Sequence, residues 1–249
     1  MSQHKYNIYP SLLDAFCDMQ NAEEIWLKYW GNSENPSISL EDYIVQSENG
    51  FIDMVNRVQH PPIEAADKGT AFNEVVDCIL HRTKSDKVEM ERIYTDNKLT
   101  GVKAMLNGFT FEFPYSIVMD FVEYYHGACS QVLVSANLPT ARGDVKLYGY
   151  IDELMPFCVH DIKTTRSYEP YKFKNHWQHI VYPYCLNQIG CAVSRFEYNI
   201  TDFKEVYTES YIYDDERDTK RLQEVVESLI DYLEANRDRI TDKKIFNQE

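Results

Sequence analysis

The stretch Gly149-Tyr150-Ile151-Asp152-Glu153-Leu154-Met155-Pro156-Phe157-Cys158-Val159-His160-Asp161-Ile162-Lys163-Thr164-Thr165 decides the fold. It reads as two short β-strands, residues 145–154 and 157–164, separated by a turn signal at Met155-Pro156 and apolar enough to lie in a core. Yet each strand carries an aspartate, and a lysine follows the second by two residues. Burying charge is costly unless the charge meets a partner or a metal. Asp161 and Lys163 share one face of their strand because side chains alternate. A hairpin through Met155-Pro156 brings Asp152 toward them. Two converging carboxylates make a hard-cation site of the kind magnesium uses. A lysine beside it orients or deprotonates water, or offsets the charge of a transition state. The set suits phosphodiester hydrolysis. An isolated Asp-x-Lys is common, and its plain alternative is a solvated ion pair on an edge strand.

Outward from this stretch the chain alternates between helical and extended patterns. Upstream, Leu12, Leu13, Phe16, Met19, Ile25, Trp26 and Tyr29 predict helix over 10–30. Ser39 before Leu40-Glu41-Asp42 predicts an N-cap and a helix to about residue 57. Pro61-Pro62 punctuate the chain, and Phe72, Val75, Val76, Ile79 and Leu80 stripe a helix over 63–82. Strands are predicted at 88–94, 99–106, 109–113 and 129–138, with a helix at 116–126. Downstream, an aromatic-rich helix or pair of helices is expected over 170–190, kinked or broken at Pro183. Two strands near 195–201 and 205–213 precede an amphipathic helix carrying Leu222, Val225, Val226, Leu229, Ile230 and Leu233. The expected class is α/β or α+β, a mixed central sheet flanked by helices. It forms one domain over 1–249, with a helical N-terminal extension (1–60), a core (61–213) and a C-terminal helix (214–249).

Composition narrows the function. The chain has 249 residues and 44% hydrophobic residues, enough for a sizeable core. Met1 to Lys5 run straight into polar and aromatic residues without a charged-then-apolar leader, and no apolar run approaches the roughly 20 residues a membrane span needs. The expectation is a cytoplasmic protein without a membrane partner. The six cysteines, Cys17, Cys78, Cys129, Cys158, Cys185 and Cys191, form no CxxC pair and are expected as small buried hydrophobes. Net charge is −15, a poor starting point for coating nucleic acid, but the charge is uneven. Residues 1–60 hold nine Asp or Glu against three Lys or Arg. Residues 163–179 hold Lys163, Arg166, Lys172 and Lys174 against Glu169, with His176 and His179 added. Tyr168, Tyr171, Phe173 and Trp177 interleave with these cations; such a pattern stacks bases and tracks a strand, or else the aromatics are helix core. There is no Walker A, GxGxxG or G-x-S-x-G motif and no H-E-x-x-H pair.

The aspartates and lysine do not stand alone. Asp152, then Asp161-Ile162-Lys163, is followed by Gln178-His179-Ile180-Val181-Tyr182, in which Gln178 and Tyr182 lie one helical turn apart. Upstream stands Gly69-Thr70-Ala71-Phe72-Asn73-Glu74-Val75-Val76-Asp77. In order and spacing these elements resemble the PD-(D/E)XK nuclease superfamily, in its RecB-like and phage (lambda) exonuclease-like branch, over residues 69–182. That branch carries an aspartate at a strand end, (D/E)-x-K on the next strand, Q-x-x-x-Y on the following helix and G-T-x-x-H-x-x-x-E upstream. Here Asp77 stands at the acidic position and Asn73 at the histidine position, with Glu74 a second candidate acid. Asn73 is a weak ligand beside an imidazole. Its presence implies a site held by carboxylates or a weakened activity.

The resemblance implies a restriction-endonuclease-like core and a Mg²⁺- or Mn²⁺-dependent DNA nuclease, most plainly an exonuclease of recombination, repair or phage DNA processing. Asp77, Asp152, Asp161 and the Ile162 carbonyl would ligate the metal. Lys163 would position or activate water, and Gln178 and Tyr182 would orient the lysine and the DNA backbone. Lys163, Arg166, Lys172, Lys174, His176 and His179 would meet phosphates of linear duplex or single-stranded DNA. A recombinase or single-strand-binding protein is the partner such enzymes imply. Some relatives hold an iron–sulfur cluster; Met19 falls where their first cysteine would be and no cysteine follows Cys191, so no cluster is expected. Two alternatives remain open: a catalytically weak or inactive DNA-end or protein-binding module on the same fold, and a structure-specific endonuclease.

Overall fold

The computed structural model describes residues 4–247. Among these the order is β1 (Tyr6–Ile8), α1 (Pro10–Gln20), α2 (Ala22–Trp30), α3 (Leu40–Val55), α4 (Glu64–His81), β2 (Glu89–Thr95), β3 (Lys98–Leu106) and β4 (Phe109–Pro114). Then follow α5 (Tyr115–Tyr124), β5 (Cys129–Leu138), β6 (Val145–Met155), β7 (Cys158–Thr164), α6 (Gln178–Gln188), β8 (Arg195–Thr201), β9 (Val206–Ile212), α7 (Asp215–Ala235) and a short 3₁₀ turn at Lys243–Phe246. The fold is α+β, with a mixed six-stranded sheet in the order β1-β6-β7-β8-β9, β5 on β6, and a separate antiparallel sheet β2-β3-β4.

The pairing around β6 creates the feature that matters. β5 runs along one edge of β6 from Val145 to Leu154. The other edge is shared: β1 pairs in parallel with Val145–Leu147, and β7 pairs antiparallel only at Glu153/His160, Leu154/Val159 and Met155/Cys158. Between them, Tyr148 to Asp152 have a partner strand on one side only. The β6–β7 hairpin turns at Pro156-Phe157, where Phe157 takes the left-handed φ of 63°, and the two strands part once they reach Asp152 and Asp161. β7 instead continues beside β8 in parallel from Cys158 to Thr164.

Two cores clamp the sheet. One packs α1, α3, α6 and α7 against it through residues such as Leu13, Phe16, Ile151, Val159, Val181 and Leu229. The other packs α4, α5 and the small sheet over Ile162. Phe72 anchors this second core, meeting Phe113, Phe121 and Phe203 edge-to-face at 5.2, 5.1 and 5.4 Å. That contact fixes the rotation of α4 and so determines where Asn73 and Asp77 point; truncating Phe72 to alanine costs about 3–5 kcal/mol. Gly69, one turn earlier, lets α4 approach β7, since a Cβ there would sit 3.2 Å from Thr164 Oγ1. Caps fall where local chemistry places them: Ser39 Oγ accepts from the Asp42 N–H at 3.0 Å, and Asp214 from the Arg217 N–H at 2.8 Å.

The structure differs from the expectation in three places. The helix over 10–30 is two helices, because Asn21 closes α1 by donating to the Cys17 and Met19 carbonyls and opens α2. Residues 167–177 form turns rather than helix; Tyr171 adopts φ 63°, and α6 begins only at Gln178. α6 then runs through Pro183 to Gln188. The three-residue strand β1 carries no local signal, since its partner lies about 140 residues away.

Candidate functional site

Where β6 and β7 part, side chains replace the missing ladder. Asp152 Oδ2 accepts from the Ile162 N–H at 2.9 Å and from Asn73 Nδ2 at 3.3 Å. Thus it ties the strand fork to α4. On the α6 side of β7, Lys163 Nζ donates to Gln178 Oε1 at 2.8 Å and lies 2.7 Å from Asp161 Oδ2. Gln178 Nε2 donates to Asp161 Oδ1, so lysine, glutamine and aspartate close a triangle. The Lys163 ammonium also lies 5.6 Å from the centroid of the buried Tyr198 ring. Tyr182, one turn beyond Gln178, presses its ring against Gly149, where a Cβ would fall 2.7 Å from Tyr182 Cε1. A side chain at 149 would push Tyr182 out and α6 with it.

The N-terminus of α6 is held from behind. Asp14 on α1 accepts the Trp177 N–H at 2.7 Å and pairs with His176 Nδ1 at 3.2 Å. Asp14 and Glu153 are the residues that the motif reading omitted. Glu153 is fully buried, accepts from Ser130 Oγ at 2.7 Å and interacts with Asp77. No local signal marks Glu153, because Ser130 and Asp77, which cover it, are distant in sequence.

Asp161, Asp152 and Asp14 act on Lys163, while Glu153 and Asp77 lie behind Asp152, and burial raises Asp152, Glu153 and Asp77. Burial first, then the Asp161 charge, push Asp152 up to about 7, against the pull of the Ile162 N–H and Lys163. Burial likewise raises Glu153 to about 8, with Ser130 opposing and Asp77 adding to the rise. Asp77 is raised too, by burial, with its hydrogen bonds to Glu153 and Gln131 opposing. Burial works against the Lys163 ammonium, but Asp161, Asp152 and Asp14 outweigh it and hold the lysine above its ordinary value. Lys163 is accordingly a fixed cation, suited to holding an anion or a water by donation rather than to removing a proton.

Asn73 Oδ1 and Glu153 Oε1 are buried without a donor, while Asp161 Oδ2 meets the Lys163 ammonium at 2.7 Å. Buried acceptors without donors are uncommon and costly. An all-oxygen set fits a hard divalent cation, with Asp152 and Asp161 as the carboxylates nearest the fork. Asp77 is set back from it. Its carboxylate accepts from Gln131 Nε2 at 3.1 Å and reaches Asp152 through Glu153, while Asn73 makes the direct contact. Glu74 turns away to Ser85 (2.7 Å) and Lys87 (3.9 Å). Ile162 enters through its N–H, bound to Asp152.

The opposite face of β7 carries a different cluster. Among the described residues, Cys158, His160 and Glu197 have potential ligand atoms all within 4.8 Å of one another. Their polar atoms already have protein partners. Glu197 accepts from Tyr124 at 2.7 Å and Ser210 at 3.2 Å and pairs with Arg195 at 3.3 Å. His160 Nδ1 lies 3.1 Å from Asn199 Oδ1, which also accepts from Tyr125 at 2.7 Å. Burial lowers His160, with the Asn199 bond opposing. A thiol and an imidazole would suit zinc rather than magnesium.

The basic segment after β7 is only partly displayed. Arg166, Lys172 and Lys174 are exposed. Lys172 Nζ is bound to Thr165 Oγ1 at 2.6 Å and the Ser167 carbonyl at 3.2 Å. His176 is engaged by Asp14. His179 is not on the expected phosphate-facing surface: it is buried, stacked on Tyr211 at 4.5 Å, and lowered to about 4 by burial and Arg221. Of the interleaved aromatics, Phe173 is core, Tyr168 stacks on Tyr207 at 4.3 Å, and Tyr171 stands exposed.

No helix among the described residues is long and apolar enough to cross a membrane. No protein-family model matches the chain, and no curated protein sequence matches it. Among solved structures, the crystal structure of SSO0001 is similar to it at 10% identity and a TM-score of 0.45, covering 91% of this chain and 78% of the other.

Proposed function

We propose that this chain is a divalent-metal-dependent deoxyribonuclease that hydrolyses phosphodiester bonds, acting as an exonuclease. The observation that carries the reading is the strand fork: Asp161, Lys163 and Gln178 close a hydrogen-bonded triangle, and Asp152 is bound to the Ile162 N–H beside it, so residues spread over 27 positions (152 to 178) meet at one point. Asp152 and Asp161 would hold Mg²⁺ or Mn²⁺, which when bound supplies Lewis-acid polarisation of a phosphoryl oxygen and lowers the pKa of water. Lys163 remains protonated, held by Asp161 and Gln178, so it donates toward the attacking water or the phosphoryl oxygens and offsets charge that grows in the transition state. Gln178 keeps the lysine's direction fixed, and Tyr182 packed on Gly149 keeps Gln178 in place. Asn73 holds Asp152 from α4, and Asp77 adds a carboxylate behind it. The attacking water's oxygen forms a new bond to phosphorus and its proton passes to solvent, while the phosphorus–oxygen bond to the leaving nucleotide breaks and the leaving oxygen takes up a proton.

The test is incubation of linear and covalently closed circular DNA with Mg²⁺ or Mn²⁺, using wild type and Lys163→Ala. Wild type is expected to degrade the linear form and spare the circle, and the variant to degrade neither. No cleavage by wild type with either metal sinks the enzyme reading, and cleavage of the closed circle replaces exonuclease by endonuclease.

A further inference from the structure

The open edge of β6 borders a cavity of about 550 Å³, lined among others by Tyr9, Arg57, Tyr148, Tyr150, Gln178 and Tyr182. It therefore shares Gln178 and Tyr182 with the candidate site and continues away from it along the strand. Tyr148, Tyr150 and Asp152 follow one another at two-residue spacing, so an aromatic row on one strand face ends on the fork carboxylate. Tyr148 meets Tyr9 at 5.6 Å, forming one wall. Tyr150 is 58% exposed, and Leu133, its direct partner on β5, is equally exposed. Arg57 is the sole charged residue lining the cavity, in a chain of net charge −15. It sits at φ 54° just after α3 and is steadied by Asp242 at 3.3 Å.

Open aromatic faces, one guanidinium and the amides of Gln59 and Gln178 make a set that recognises a nucleotide: a base for the rings and amides, a phosphate for the arginine. A duplex keeps its base faces covered by stacking, so rings in a cavity are used only by an unpaired base. We propose that this cavity is a subsite for an unpaired nucleotide of single-stranded DNA, stacked on Tyr148 and Tyr150 and leading its phosphodiester to Asp152 and Lys163. The proposal rests on the nuclease reading and narrows its substrate to a single strand or a frayed end.

The experiment measures two things on wild type, Tyr150→Ala, Tyr150→Trp and Tyr94→Ala, the last an exposed tyrosine on β2 serving as control. The first is fluorescence anisotropy of an end-labelled oligothymidylate without divalent ion, with the label at either end in separate preparations. The second is cleavage of that oligonucleotide and of a blunt duplex with Mg²⁺ or Mn²⁺. Tyr150→Ala is expected to bind the single strand about tenfold or more weakly and to cleave it correspondingly slowly at limiting concentration. Tyr150→Trp restores both, and Tyr94→Ala changes neither. Wild-type cleavage with Tyr150→Ala indistinguishable from it in both measurements overturns the subsite and leaves the nuclease reading standing. Wild type that binds through Tyr150 but cleaves nothing overturns the nuclease reading and supports the subsite as a binding site. Wild type that neither binds nor cleaves overturns both.

Discussion

The two faces of β7 bury ionisable side chains by opposite means. On one face, His160 and Cys158 lie beside Glu197, tyrosine, serine and arginine side chains donate to the acceptors there, and Asn199 Oδ1 faces His160 Nδ1. On the other, Asp161 and Lys163 close a triangle with Gln178 and lie beside Asp152 at the open fork. A closed network rigidifies the sheet. Carboxylates at an open strand fork stay within reach of an ion from outside the chain. The same strand thus separates a structural face from one suited to chemistry, and the two should respond differently to the same perturbations.

The largest expected difference is in activity. Lys163→Ala removes the one cation of the carboxylate cluster and should lower DNA cleavage by about 10²–10³-fold, measured as nucleotide release from linear DNA by a variant whose circular dichroism matches wild type. The counterpart is His160→Ala. It opens a cavity and strips Asn199 and Glu197 of a partner, so it should destabilise the fold by about 2–4 kcal/mol in urea titrations. Among molecules still folded its cleavage rate should stay near wild type; a loss as large as that of Lys163→Ala would break the division between the faces.

Gly149→Ala tests the support behind the site. Its Cβ would collide with Tyr182, so about 1–3 kcal/mol of stability should be lost together with activity, as Gln178 shifts. Ser39→Ala, remote from the site, costs about 1 kcal/mol with activity unchanged. A Gly149→Ala protein with full activity would show that Tyr182 does not position the triangle.

The smallest effect is a pH dependence. Asp152 and Glu153 titrate near 7 and near 8 in the folded chain against ordinary values of 3.8 and 4.5, so between those limits the folded state binds more protons than the unfolded one. Stability from these two groups is full below the lower values and lost as pH rises through the upper ones. Without divalent ion, Tm should fall between pH 5 and pH 9 by an amount on the order of 5 °C attributable to this cluster. Glu153→Gln should flatten the slope, and Mg²⁺ should flatten it in the wild-type chain. An unchanged slope in both would remove the carboxylate cluster as its source.

Much of this architecture is legible residue by residue. β-rich composition and the Met155-Pro156 turn mark β6 and β7, the Ser39 cap marks α3, and apolar stripes mark α4 and α7. The motif spacing singles out Asp152, Asp161, Lys163 and Gln178, which the fold brings together. Glu153 is not legible because its significance depends on Asp77 and Ser130, distant in sequence and brought over it by the packing of α4 and β5. His179 misleads for the complementary reason: a histidine among cations resembles a phosphate contact until Tyr211 of β9 is laid across its ring.

The sequence by itself determined most of the elements, a mixed sheet flanked by helices and the order in which acid, lysine and glutamine arrive, because periodicity, capping and turn chemistry are local. The tertiary structure decided what a linear chain cannot express. β1 and β7 divide one edge of β6 and leave Tyr148 to Asp152 open, and the neighbouring cavity takes its walls from α1, α3 and α6. Which carboxylates are crowded, which oxygens lack donors and which aromatics face open space follow from strand pairing and helix packing across long separations, and charge is stabilised or stranded by those contacts alone.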